Sequence, residues 1–411
     1  MKILVLNSGS SSQKSALYEV LGTLPEHPPE PAWQGEIQWD AGRAQIRAQN
    51  SRGAKLQTSV NVGSRANAIE QLLETLWTGE IRAISAPSEI DVVGHRIVHG
   101  GREFEQATVV TPEVKSAIAR MSAFAPLHNR AELEGIDLIE KRLGNVLQIA
   151  VFDTGFHSHL PDASAVYPGP FEWIGLGIRR YGFHGINHQY CAQRAAQLVG
   201  RQLDSLKLVT CHLGNGCSLA AIRNGRSVDT TMGFTPLDGL MMGTRSGSLD
   251  PGILTYLMRQ ENSTGEQLDD LLNTKSGLLG ISGISGDMRH IVGAMKQGDP
   301  RAKLAYEMFV HRLVSGIGAM IAVLGGIDAL IFSAGIGENS PEVRAATCAN
   351  LQFLDLRLDP AKNIHYSADQ DIALPISSIR VLLIHAQEDW AIARDCWRLH
   401  STKAEGVARA T

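Results

Sequence analysis

The stretch ILVLNSGSSSQK, residues 3 to 14, joins an apolar run to six small polar residues and ends on Lys14. The apolar run reads as a short buried strand. Small residues let backbone N–H groups approach an anion such as a phosphate, and hydroxyls add donors. Only Gly9 and Lys14 fit a Walker frame, so this is no P-loop. The other reading is a Ser-rich surface turn. A second turn, HLGNG from His212 to Gly216, offers the same choice between a phosphate cradle and an ordinary hairpin turn. Arg96 in GHRIVHGG and Arg245 in GTRSG both stand outside solvated helical patterns. A guanidinium's planar fork fits carboxylate or phosphoryl oxygens. Asp153 ends an apolar strand, where a carboxylate must meet a cation. It either pairs with an arginine or positions a metal or an acid. His184 in YGFHG suits charge stabilisation on phosphoryl oxygens, or else packs in a core. Its i,i+4 spacing to His188 suggests zinc. No Glu lies between them and Gly185 weakens a helix there, so zinc is not expected.

The elements that must position these groups follow from pattern. Strands are predicted at 3–6, 14–20 and 35–48, with a Pro-rich loop over 21–33. Periodicity predicts a helix over 66–77. The run 89–101 reads as a β-branched strand, 111–126 as a helix opened by Thr-Pro-Glu, and 146–157 as a buried strand. A helix over 188–200 stops at Gly200. Residues 207–231 read as strand, tight turn, strand, Asn-Gly turn, strand. The region 252–325 is mainly helical, interrupted at TKSGLLGISGISGDMR, and Leu313–Ile327 reads as a buried helix too short to span a bilayer. Strands at 328–334 and 379–384 precede a helix starting near Glu388. The strand–small turn–strand unit at the start recurs at 207–222, which suggests two related α/β halves. In mixed sheets flanked by helices, ligands gather at the carboxyl ends of strands. Asn7, Arg96, Asp153, His212 and Gly335 all fall there.

Composition limits the classes. A chain of 411 residues with 44% hydrophobic and 19% charged residues suits a soluble globular protein of two or three domains. A net charge of −4 argues against nucleic acid as partner. The opening strand predicts no secretory leader, and no membrane association is expected. Five cysteines without C-x-x-C spacing predict neither zinc nor a disulfide framework, and so a reducing, cytoplasmic setting.

The motifs LNSGSSSQK, GHRIVHGG, APLHN, VFDTGFH, RRYGFHG, HLGNGCS, TPLDGLMMGTRSG, SGISGDMR and AGIGEN occur in that order along the whole chain. In this the chain resembles the acetate kinase family, of the acetate and sugar kinase/Hsp70/actin superfamily. The resemblance implies an α/β fold of two duplicated ribonuclease H-like domains, with mixed sheets flanked by helices and an active-site cleft between them. One domain would comprise 1–154 plus 388–411 and bind the acid. The other, 155–387, would bind nucleotide. It implies a homodimer and a reversible, Mg-ATP-dependent transfer of a phosphoryl group to acetate, giving acetyl phosphate and ADP.

The resemblance also assigns residues. Asp153, His184, Arg245 and Arg96 would be catalytic. Arg96, Val98, Leu127, Phe183 and Pro236 would bind the acid. Lys14, His212, Leu213, Gly214, Asn215 and Gly216, with Asp287, Met288 and Arg289, would bind ATP. So would Gly335, Ile336, Gly337, Glu338 and Asn339, in loops. Asn7 and Glu388 would attend Mg²⁺, with Mn²⁺ as an alternative. Val98 at the pocket position favours acetate over propionate, though one methylene is worth only about 1–3 kcal/mol. A propionate kinase is therefore the near alternative, and a non-catalytic ATP-binding module the distant one. The chain departs from the family pattern at Gln13, at Arg130, in GINH after His184, and in HAQED at 385–389. None of these departures removes a proposed catalytic side chain.

Overall fold

A computed structural model describes the chain except residues 10–11, 41–42, 62–63, 123–128, 367–368 and 409–411. The chain divides into two compact units, Met1–Gly155 with Gln387–Thr411, and Phe156–Ala386.

The first unit is built on β1 (Lys2–Ser8), β2 (Ser12–Glu19), β3 (Trp33–Asp40), β4 (Arg43–Asn50), β5 (Lys55–Asn61), β6 (Val92–Ile97), β7 (Thr108–Val109) and β8 (Leu147–Phe152). Their order in the sheet is β5-β4-β3-β2-β1-β6-β8-β7. The pair β1–β2 is antiparallel, with Asn7 opposite Lys14, while β1, β6 and β8 run parallel. One face packs on helices Arg65–Glu74 and Asn129–Leu143, where Leu72, Leu73 and Ile139 meet Trp33 and Ile46. The helix Glu388–Ala408 packs on β1 and β6. Gly94 makes that approach possible: a Cβ there would lie 2.6 Å from Cys396 Sγ and 2.8 Å from Ile392 Cγ2.

The second unit carries β9 (Lys207–Leu213), β10 (Cys217–Arg223), β11 (Arg226–Thr230), β12 (Ala329–Ser333), β13 (Gln370–Asp371) and β14 (Arg380–Leu383), in the order β11-β10-β9-β12-β14-β13. Here β9–β10 is antiparallel and β9, β12 and β14 run parallel. The run β3-β2-β1-β6-β8 of the first sheet thus recurs as β11-β10-β9-β12-β14. This is the duplication that the strand–turn–strand echo suggests.

Several elements differ from the sequence reading. The strand predicted at 35–48 is two, β3 and β4, and β5 follows them. The side chains of β5 are almost all exposed, so no apolar alternation marks it. The strand predicted at 89–101 is only Val92–Ile97, because the two residues after it bond to a neighbouring helix instead of a strand. GIGEN lies in a short helix, Ala334–Asn339, rather than a loop. The helix predicted as buried is Pro300–Leu324, of 25 residues, long and apolar enough to cross a membrane by length and composition alone. It buries one stripe, Phe309, Leu313, Ile317, Met320 and Leu324, and leaves Leu304 and Val323 exposed.

Candidate functional site

The assigned residues form two sets, one in each unit. In the first, Asn7, Arg96 and Asp153 stand at the carboxyl ends of β1, β6 and β8, three neighbouring parallel strands. Arg96 donates to Asp153 Oδ2 from Nε at 3.1 Å and from Nη2 at 2.6 Å. Its Nη1 donates to Asn7 Oδ1 at 3.1 Å. Asn7 Nδ2 in turn reaches Asp389 Oδ1 at 2.7 Å and Glu388 Oε2 at 3.3 Å. Burial would lower the Arg96 pKa, but the charges of Asp153 and Glu388 and the bonds to Asp153 outweigh it and keep the guanidinium charged. The side chains are fixed before any ligand arrives.

Two acidic residues here are absent from the sequence-based assignment. Asp389 is pushed up by burial and by Glu388, against the bond from Asn7 and the charges of Lys14 and Arg96. The signal for it is the Glu388–Asp389 pair in the first turn of a helix. Glu132 is buried, and both its oxygens accept from Val98 N, at 3.1 and 3.2 Å. Burial raises its pKa to about 8, above the opposing effects of the Val98 bond and Arg96. Asn129 accepts from His99 N and donates to His99 O, so this helix start clamps the chain just beyond Arg96. Nothing in the local sequence marks Glu132 as buried. Val98 is buried beside it. Leu127 lies outside the described residues, as do Ser10 and Ser11 of the first turn. Lys14 is exposed on β2.

The donor set around Asn7 suits a hard divalent cation. Its oxygens are the carboxylates of Glu388 and Asp389, to which Asn7 turns Nδ2 while its Oδ1 accepts from Arg96. Among the described residues no group of three or more His, Cys, Asp or Glu side chains gathers to hold a metal.

In the second set, the groups around the HLGNG turn are bonded mainly to neutral partners, and the acids Asp287 and Glu338 stand on other elements. The turn Gly214–Gly216 closes β9 onto β10, with Gly214 N donating to Gly216 O at 3.0 Å. A Cβ on Gly216 would lie 3.3 Å from His184 Nε2 and 3.5 Å from Arg245 Nη1. The turn therefore gathers His184 and Arg245. Arg245 Nη1 donates to Pro236 O at 2.9 Å. His184 caps the helix Gly185–Val199 in the left-handed region, φ 58°, a conformation that costs a non-glycine residue about 1 kcal/mol and marks a constrained position. Its ring stacks on His212, centroids 4.0 Å apart and planes at 17°. Phe183 is buried, and its carbonyl faces His157 Nε2 at 3.2 Å.

Asp287 caps the helix Met288–Lys296 and pairs with the exposed Arg289, while Met288 points into the core. Glu338 accepts from Ala334 N at 2.7 Å and from Ala386 N at 2.9 Å, and it bonds His385. Burial pushes its carboxyl up, but these bonds hold it below the usual range. Gly335 has open space where a Cβ would stand, so a ligand can approach its backbone. The HAQED departure thus supplies His385 to Glu338 in this unit and Asp389 to Asn7 in the other.

The chain matches the model of the acetokinase family over residues 2–394. A protein named acetate kinase from a Cyanothece species is 58% identical over 407 residues, covering 98% of this chain and 100% of that one. One from Gloeobacter violaceus is 57% identical over 404 residues, covering 97% and 99%. Among solved structures, the acetate kinase of Porphyromonas gingivalis has a TM-score of 0.88 at 38% identity, covering 97% of this chain and 99% of that one. A propionate kinase from Francisella tularensis gives 0.88 at 34%, with the same coverage.

Proposed function

The chain belongs to the acetokinase family and is an enzyme that phosphorylates a carboxylate, and we propose that its substrates are acetate and Mg-ATP. Arg96, held by Asp153 and Asn7, binds the acid's carboxylate. Val98 and Phe183, with Pro236 and Leu127, are the residues that the family resemblance assigns to its methyl group. The HLGNG turn and Lys14 hold phosphates, and the segments at 287–289 and 335–339 hold the adenosine. One carboxylate oxygen attacks the γ-phosphorus in line, the bond to the β-bridging oxygen breaks, and ADP leaves with that electron pair. Arg96, Arg245 and His184 neutralise charge on the transferring group, which is most of what phosphoryl transfer demands. Glu388 and Asn7, with Asp389, would hold Mg²⁺, which supplies charge neutralisation on the phosphates.

The observation that carries this reading is Arg96, a charged guanidinium 14% exposed and fixed at the end of a central strand by Asp153 and Asn7. The 57–58% identity to proteins named acetate kinase supports acetate as the acid. The reading includes a homodimer in a reducing cytoplasm. Helix Pro251–Glu261 buries none of its residues and exposes Ile253, Tyr256 and Met258, which supports a second copy there. The five cysteines carry thiols rather than disulfides.

The test is to incubate the protein with Mg-ATP and acetate, propionate or butyrate and to trap acyl phosphate with hydroxylamine. Fast product with acetate, less with propionate and little with butyrate is expected. A propionate maximum would move the assignment to propionate kinase. No acyl phosphate from any acid, with ATP still bound, would overturn it.

A further inference from the structure

Beneath His184 lies a line of buried hydroxyls and imidazoles that the transfer chemistry does not itself require. His184 Nδ1 is 2.8 Å from Ser218 Oγ. The same Oγ is 2.7 Å from His188 Nε2, and His188 Nδ1 is 2.7 Å from Thr210 Oγ1. Thr210, His188 and Ser218 are all at most 1% exposed. The line crosses the sheet because Ser218 stands opposite His212 on β9, two residues beyond Thr210, while His188 lies one helical turn after His184.

Proton inventory gives the line a direction. Thr210 Oγ1 faces the Ala220 carbonyl at 3.5 Å, and a carbonyl can only accept. With its proton turned there, Oγ1 accepts from His188 Nδ1–H. Burial, with His157 and His212 nearby, holds His188 far below its ordinary value, so the ring is neutral and carries one proton. Its Nε2 must then accept, and the donor is the Ser218 hydroxyl. Having given its single proton, Ser218 Oγ can only accept from His184, whose Nδ1 is therefore protonated.

We propose that Ser218, backed by His188 and Thr210, is a positioning residue that fixes the tautomer and ring orientation of His184, so that Nε2 is the atom presented to the transferring phosphoryl group. Proton gain and loss at His184 is then confined to Nε2, the edge that faces Gly216 and Arg245. The stacked His212 blocks rotation of the ring. Asn187 Nδ2 donates to His212 Nδ1 at 2.9 Å, which leaves the proton of that ring on Nε2. The inference rests on the reading that His184 acts at the phosphoryl group.

The test uses the whole enzyme labelled with ¹⁵N-histidine and a long-range ¹H–¹⁵N spectrum above the imidazole titration range. The His184 signals are assigned by their loss in His184→Gln. Wild-type His184 is expected as the Nδ1–H tautomer, a result that needs no change at Ser218. Ser218→Ala is expected to shift the population towards Nε2–H. It should lower kcat on the order of tenfold to a hundredfold, the scale on which outer partners of a working imidazole act. KM for nucleotide should move far less. Ser218→Thr keeps the hydroxyl and should restore both tautomer and turnover. An Nε2–H wild-type ring, or a Ser218→Ala enzyme with unchanged tautomer and kcat, would overturn the proposal. His184→Gln separates the two claims. If it loses turnover while Ser218→Ala does not, the relay is wrong and the reading of the site stands. If His184→Gln turns over like wild type, the role given to His184 is wrong, and the relay has nothing to position.

Discussion

The two sheets share one strand order, yet they hold their functional groups by opposite means. At the strand ends of the first unit, a half-buried arginine is balanced by the buried Asp153 and, through Asn7, is linked to Glu388 and Asp389. At those of the second, His184, His188 and His212 are held by Ser218, Thr210 and Asn187, and no carboxylate joins them among the bonds described. A substrate carboxylate and a divalent cation call for charge of both signs already in place, since buried charge must be matched to be tolerated. Phosphates held on a glycine turn call instead for donors of fixed direction: backbone N–H groups supply them, and the relay leaves Nε2 as the one atom of His184 that can take up a proton and donate it, without drawing a second anion into the site.

The contrast can be broken most sharply at Arg96. Arg96→Ala leaves Asp153 buried without its guanidinium, so the account expects a loss of about 3–5 kcal/mol in urea unfolding and a fall in kcat of about a thousandfold or more. A stable variant would mean that the charges in the first unit are not coupled as described. The bonds described for Arg245 go to neutral atoms, Pro236 O and Met242 Sδ, and Arg245→Ala removes them. Its kcat should drop by about a hundredfold to a thousandfold, with little change in melting temperature or in nucleotide affinity. Near-native turnover would remove Arg245 from the site.

Glu132→Gln sharpens the comparison through pH. The folded carboxyl, at about 8 against an ordinary 4.5, keeps a proton that the unfolded chain releases between those values. Stability therefore falls as pH rises through that window, by an amount on the order of a few kcal/mol. The glutamine variant should lose that slope, and a wild-type slope in denaturation curves taken across the window would place the raised group elsewhere. The smallest effect belongs to Val98→Ala, which should raise kcat/KM for propionate relative to acetate by about tenfold at most. An unchanged ratio in steady-state assays would mean that the pocket wall is built by other residues.

Much of this division was legible in the sequence. The apolar runs before Asn7, Arg96 and Asp153 form parallel neighbours, so their ends coincide as the strand-end argument expects. The Asn-Gly turn and the small residues of HLGNG gave the β9–β10–β11 meander. What the pattern could not give was partnership across elements. The i,i+4 spacing of His184 and His188 raised zinc, which the missing Glu and Gly185 argued against, and it named no other partner. In the structure both rings turn to one serine on a strand some thirty residues away. Counting back from the turn places Ser218 opposite His212, so a trace of that hub was there to be read. Glu132 resembles any charged residue on an amphipathic helix, and only tertiary packing buries it. β5 carries no apolar alternation because its side chains face solvent.

The central claim is a division of labour: Arg96 with Asp153 for the acid, and the HLGNG turn with the segments at 287–289 and 335–339 for the nucleotide, whose phosphates Lys14 and the Mg²⁺ ligands also serve. Calorimetric titration of Mg-ATP into Arg96→Ala tests it most directly. The account predicts nucleotide affinity within about threefold of wild type, a difference below 1 kcal/mol, in an enzyme that no longer forms acetyl phosphate. Loss of nucleotide binding in that folded variant, with acetate affinity intact, would contradict it.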